Sequence, residues 1–292
     1  MSGETLLAPR QQLRRLRASS FDLALDFQGL LKSAAIARLS GARRSYGFSR
    51  RALREPASRF LLTKTVQIPP RTHVIHKNLL LATGALGISF PAHPRELRFP
   101  IATRPEHEHE AQEAAKGLES GYAILNPGGG WATKLWGPER FGALADELWA
   151  REGLASVVTY GPGEREMAEH VAASGRAGRT RVASLSLKGF YALARRARVY
   201  VGGDTGPTHL AVAASTPVVG LFGPTEWWRN GSPRPQDICV ERTDIGCRTD
   251  CHRRSCSQWV CMDIEVERVA AAVEERLLRA GAGRTLETSV GA

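Results

Sequence analysis

Two hydrophobic periods run along the chain, one of two residues and one of three to four. Leu23, Leu25 and Phe27 alternate with smaller or polar neighbours, Gly29 marks a turn, and LLKSAAIARLSG then carries apolar residues at helical spacing up to Gly41. Segment 21–48 therefore predicts a strand, a helix and the start of a second strand. PPRTHVIHKNLLLATGALG (69–87) predicts another helix, ended by Gly84 and Gly87. ISFPAHPRELRFPIATRPEHE is rich in proline and shows no period, which predicts a linker near residues 92–105.

The second half is more regular. GYAILNPGGG, LASVVTYGPGE, RVYVGGDTG and TPVVGLFGPT each read as a strand running into a glycine loop. Between them GPERFGALADELWAREG, EREMAEHVAASG, SLKGFYALARRA and PTHLAVAAS read as helices, the first with Pro138 suited to its opening turn. Strands alternating with helices predict an α/β protein with a parallel sheet covered on both faces. Residues 263–280 predict a last amphipathic helix, and 281–292 a disordered tail. The expected domains are thus 1–100 and 106–262, followed by that helix and tail.

In such sheets ligands bind beyond the carboxyl ends of the strands, and the chemically interesting residues fall there. Asn126, Gly128, Gly129 and Gly130 follow one strand, Glu164 a second, Asp204, Thr205 and Gly206 a third, and Gly223-Pro224-Thr225 a fourth. If those strands are neighbours, four loops share one rim. Glycines let backbone N–H groups approach phosphate oxygens, and the helix after Gly206 points its positive end at the rim. Thr205 and Thr208 offer hydroxyls, Lys134 a positive charge, Glu164 an acceptor for ribose hydroxyls, and His209 lies in the helix's first turns. Each has a plainer reading: a tight turn, a helix cap at Asp204, a solvated lysine, a structural histidine. Their shared position favours a phosphate-ester site. Neither G-x-G-x-x-G after the first strand nor G-x-x-x-x-G-K-[ST] occurs, which counts against dinucleotide oxidoreductases and P-loop NTPases.

Composition narrows the setting. The 292 residues, 42% hydrophobic and with a net charge of +11, allow one large or two medium cores. No apolar run is long enough to span a bilayer, and the start lacks a signal-peptide pattern, so a cytoplasmic protein is expected. The basic residues are scattered, without a stripe or an aromatic RNA-binding signature. That favours a phosphorylated substrate or an anionic membrane face over nucleic acid.

DTGPTHLAVAASTPVVGLFGPT resembles the signature of the lipopolysaccharide-core heptosyltransferases, family 9 glycosyltransferases. NPGGGWATKLWGPERFGALADEL is similar to that family's glycine loop, and DLALDFQGLLKSAAIARLSGARRSYGF with the REP at 54–56 is similar to its N-terminal half. The resemblance covers roughly residues 20–280. It implies a GT-B architecture, two Rossmann-like domains with a cleft between them. It also implies a donor such as ADP-heptose, a phosphorylated Kdo-lipid A acceptor in the lipopolysaccharide core, and inverting transfer without a metal cofactor. Work at the cytoplasmic face of the inner membrane, in peripheral contact with it, follows. Carried over by position, Asn126, Gly128, Gly129, Gly130, Lys134, Glu164, Asp204, Thr205, Gly206 and His209 bind the donor.

The pattern departs at one end. The family's general base is an Asp in a Gly-Asp loop after an opening strand, several elements before DFQGLLKSA. Here LALDFQG begins by residue 23, so the N-terminal domain is expected to be incomplete, with that Asp absent and no catalytic residue assigned. Asp26 reads as a structural or acceptor-side acid. A catalytically impaired nucleotide-sugar-binding remnant is therefore the alternative function.

Cys247, Cys251, Cys256 and Cys261 form C-x3-C-x4-C-x4-C, with Cys239 upstream. Four thiols so close suit a structural metal, a redox pair or free thiols, and the spacing leaves all three open. With the basic charge they also raise a zinc-dependent nucleic-acid binder as a third reading. EWWRNGSP (226–233) places two tryptophans after the fourth loop, for stacking on adenine or for packing.

Overall fold

The computed structural model describes residues 4–89, 97–118 and 120–290, with side chains between 11 and 281. The chain divides into two compact units, Met1–His93 and Pro94–Ala292.

The first unit is built on α1 (Glu4–Ala18), β1 (Leu23–Leu25), α2 (Leu31–Leu39), β2 (Arg44–Phe48), β3 (Lys64–Val66) and α3 (Val74–Leu86). Its three strands are parallel, in the order β1-β2-β3, with Leu25 opposite Tyr46 and Phe48 opposite Val66. Tyr46, Phe48, Leu53 and Leu81 form its core. The turn after β1 depends on Gly29, whose φ of +68° is in the left-handed region. Asp26 closes that turn: it is 3% exposed, and its Oδ1 accepts the N–H groups of Gln28 at 3.0 Å and Gly29 at 3.2 Å. Of its two expected roles the geometry displays the structural one. Glu55, in the REP segment, accepts the Leu31 N–H at 2.6 Å and so satisfies an orphan donor at the start of α2.

Of the expected linker, residues 92–96 lie outside the described residues, and 97–104 run without regular structure. The second unit then opens with α4 (Pro105–Ala114), a helix the sequence pattern does not announce. It continues through β4 (Tyr122–Asn126), α5 (Pro138–Glu152), β5 (Ala155–Tyr160), α6 (Arg165–Ser174), β6 (Thr180–Ser184), α7 (Leu187–Ala194) and β7 (Val199–Gly203). It ends with α8 (Gly206–Ala213), β8 (Val218–Phe222), α9 (Trp227–Asn230), β9 (Ile238–Glu241) and α10 (Val266–Val290). The last helix starts three residues later than the pattern predicts and runs to Val290, through much of the stretch expected to be disordered. Gly281 and Gly283 each cost roughly 1 kcal/mol in a helix. No proline follows them, and good helix formers flank them.

All six strands are parallel, in the order β6-β5-β4-β7-β8-β9. The winding direction reverses between β4 and β7, which makes their carboxyl ends the sheet's switch point. Successive strand residues feed opposite cores. Leu125, Val201 and Val219 pack with Phe141 and Leu144 of α5 and Val269 of α10. Ile124, Tyr200 and Val218 pack with Ala111 of α4, Phe190 of α7 and Ala211 of α8. Both faces are therefore covered, as the alternating pattern predicts.

Candidate functional site

The loops singled out in the sequence follow β5, β4, β7 and β8, and these four strands are contiguous in the sheet. They do share one rim, centred on the switch point.

At its middle, Lys134 lies in a single 3-10 turn (Ala132–Lys134) beyond the glycines. Its ammonium donates to Asp204 Oδ2 at 2.8 Å and to the Asp204 carbonyl at 3.1 Å. Both side chains are largely buried, at 13% and 7% exposure. The indole of Trp131 supports the lysine from 4.3 Å, a cation–π contact. Asn230, on α9, donates its side-chain amide to the same Asp204 Oδ2 at 3.3 Å. No sequence signal marked Asn230, because its place depends on how α9 folds back over the rim. With Oδ2 doubly engaged, Oδ1 faces His209, whose Nε2 is 3.9 Å away. Burial pushes the His209 pKa down and Lys134 adds to this, while Asp204 pulls it back up. The imidazole is therefore neutral at neutral pH.

Asp204 is not the helix cap. Thr205 occupies that position at the start of α8, and its side chain makes no capping bond. Gly206 then opens the helix, and a Cβ there would meet nothing within 4 Å. A ligand can thus approach the helix's positive end.

The remaining candidates divide by burial. Glu164 is half-buried and accepts the Gly161 N–H at 2.9 Å. Its carboxylate lies where a Cβ on Gly128 would be, which explains that glycine. Gly130 borders open space, whereas Gly129 packs near Leu135 and Thr205. Asn126 is 3% exposed and uses its amide on Thr159 O at 3.1 Å and Oγ1 at 3.2 Å, so its side chain braces the loop from inside the sheet. Thr208 corrects an expectation. It is 1% exposed, and its hydroxyl donates to Gly203 O and pairs with Tyr200 Oη at 2.9 Å, so it offers nothing to a ligand. Trp227 is half-buried and packs edge-on to Phe222, with centroids 5.0 Å apart, against the core of its own unit.

The cysteine segment adjoins this rim. Cys247, Cys251, Cys256 and Cys261 line one cavity of about 350 Å³, together with Thr133 and Pro224. All are free thiols. Among the described residues, no three His, Cys, Asp or Glu side chains come together as a metal-holding group. Cys239 lies apart on β9, where burial pushes its thiol pKa up.

A doubly wound parallel sheet of this order, with glycine loops and an open helix start at its switch point, defines a Rossmann-like domain. Three similarities agree. A Pseudomonas aeruginosa lipopolysaccharide heptosyltransferase 1 is 29% identical over 248 residues, 85% of this chain and 66% of that relative. A structure of an E. coli heptosyltransferase with ADP superposes with a TM-score of 0.70 at 23% identity, covering 94% of this chain and 79% of that one. The same kind of enzyme with ADP-2-deoxy-2-fluoro heptose gives 0.66 at 23% identity, covering 94% and 77%. The sequence pattern of glycosyltransferase family 9 (heptosyltransferase) matches residues 10–276, and the chain belongs to that family. It spans about two thirds of the length of the curated relatives it matches.

Proposed function

We propose that this protein transfers a heptose from ADP-heptose to the phosphorylated Kdo-lipid A acceptor of the lipopolysaccharide inner core, with inversion at the anomeric carbon. The carrying observation is the Lys134–Asp204 pair set between the glycine loop and the open end of α8. Departure of ADP leaves negative charge on the diphosphate. Lys134 and the first-turn N–H groups of α8 stabilise that charge as it develops, without a metal. Glu164 accepts from the ribose hydroxyls. His209, neutral and half-exposed, stands beside the sugar. The relatives named for this activity, and the neighbours solved with ADP and an ADP-heptose analogue, support the reading.

The net charge of +11 suits a phosphorylated acceptor held at an anionic membrane surface, on the cytoplasmic face of the inner membrane. The proposed contact is peripheral; no helix among the described residues is long and apolar enough to cross a membrane.

The test is calorimetric titration with ADP and ADP-heptose, followed by an assay of ADP release with Kdo-lipid A. Saturable binding and acceptor-dependent release are expected. Failure to bind either nucleotide, or unchanged affinity in both Lys134→Met and Asp204→Asn, overturns the proposal.

A further inference from the structure

The cysteine segment, residues 247–261, is a strap fastened across two loops of the rim. His252 donates its backbone N–H to Pro224 O at 2.9 Å, in the loop after β8. Thr133, in the loop after β4, donates its hydroxyl to Arg253 O at 2.7 Å, and its carbonyl accepts the Trp259 indole N–H at 3.0 Å. The strap is rooted by Arg248, which is 6% exposed. Its guanidinium donates to Gly223 O at 3.3 Å and to Glu241 at 2.7 Å, and lies 3.7 Å from Glu226. Glu226 in turn accepts the Asp250 N–H at 2.9 Å. A buried cation with two acids costs desolvation and yields a fixed geometry. Here it fixes the strap.

The strap carries Arg254 to the site. Its guanidinium lies 5.2 Å from the centroid of Trp131, the same ring that holds the Lys134 ammonium at 4.3 Å. Two cations gathered at one indole repel each other, and an anion close to both relieves that repulsion. Lys134 already has Asp204. Arg254 is exposed and has no ion-pair partner among the described residues, so its guanidinium is available to a ligand.

We propose that Arg254 is a further anion-binding residue of the donor site, contacting the phosphates of a nucleoside diphosphate, and that Arg248 is the positioning residue that seats it. The proposal rests on the donor-site reading above. A guanidinium is suited to this task, because its planar fork can grip two phosphate oxygens at once.

The experiment titrates ADP and adenosine, by calorimetry at two salt concentrations, into the wild type, Arg254→Gln, Arg254→Lys, Arg248→Met and Lys134→Met, each checked for folding by circular dichroism. Losing one charge-assisted contact should weaken ADP about tenfold in Arg254→Gln, with adenosine unchanged and a shallower salt dependence. Arg254→Lys should recover part of the loss, and Arg248→Met, if folded, should follow Arg254→Gln. ADP affinity at the wild-type level in Arg254→Gln while Lys134→Met is weakened overturns the strap proposal and leaves the donor site standing. Equal weakening of ADP and adenosine overturns it as well, since that marks a general packing role. Wild-type ADP affinity in both Arg254→Gln and Lys134→Met overturns the donor-site reading and the proposal with it.

Discussion

Lys134 Nζ stands 2.8 Å from Asp204 Oδ2 and 3.1 Å from the Asp204 carbonyl, so one ammonium bridges the loops after β4 and β7 where the sheet reverses its winding. The pair belongs to the site and also to the fold. Its burial makes it costly to break from one side, since that leaves a charge without its partner.

Lys134→Met should accordingly destabilise the protein by about 3 kcal/mol, the lower end for breaking a buried pair. Asn230 still donates to Asp204, which argues for that lower end. Adding Asp204→Asn should restore part of the loss, because the unpaired charge disappears. Urea unfolding of the two single variants and the double variant gives the coupling. Strictly additive losses would show that the two groups do not interact.

Gly128→Ala tests the loop after β4. The added Cβ would meet the Glu164 carboxylate, which is the mobile end of a flexible side chain. The acid should swing away and release the Gly161 N–H, at a stability cost of about 1 kcal/mol. The affinity for ADP should fall as it does in Glu164→Gln, and Gly128→Ala in a Glu164→Gln background should add little. A full further loss in the double variant would place the effect on the glycine backbone instead.

The rim is legible in the sequence because β4, β5, β7 and β8 are short apolar runs that end in glycine, proline and hydroxyl residues, and buried parallel strands require such runs. Three strands escape that reading. β6 and β9 are the sheet's edges: Arg181 and Ser184 of β6 are exposed, and β9 is mostly half-buried, so neither forms an apolar run. β3 is three residues long with two of them exposed. The helix α4 is hidden because PEHEHEAQEA buries only Ala111 and Ala114. Within the site, sequence spacing cannot reveal that Asn126 and Thr208 spend their polar groups inward. Nor can it reveal that Asn230, Arg248 and Arg254 arrive from later in the chain.

His209 supplies a pH test with a defined sign. Burial holds its folded pKa below the ordinary 6.5. Between the two values the unfolded chain carries more protons, so stability rises with pH across that window and falls as the pH drops below about 6.5. Exposure of about half the side chain keeps the effect small. Urea midpoints at pH 7.5 and 5.5 should fall further in the wild type than in His209→Gln. Identical slopes would mean that the histidine does not sense its surroundings.

The strap thiols should differ in reactivity, and the order follows from exposure and thiolate supply. Alkylation needs the thiolate, and a buried thiol gives it up reluctantly. Cys247 and Cys256 are exposed, Cys251 is intermediate and Cys261 is buried. Burial also pushes the Cys261 thiol up, and the neighbouring strap cysteines reinforce this. Cys239 is more strongly raised, by burial first and then by the Glu241 carboxylate that accepts from it at 3.4 Å. Brief treatment with iodoacetamide, read by peptide mass spectrometry, should therefore label Cys247 and Cys256 first, Cys251 more slowly, and Cys261 and Cys239 last. The strap's hold on Thr133 and Pro224 does not pass through the two exposed thiols, so their labelling should leave the melting temperature within a few degrees of its starting value. Early labelling of Cys261 would show instead that the strap opens as a unit, and the contacts at Thr133 and Pro224 would have to open with it.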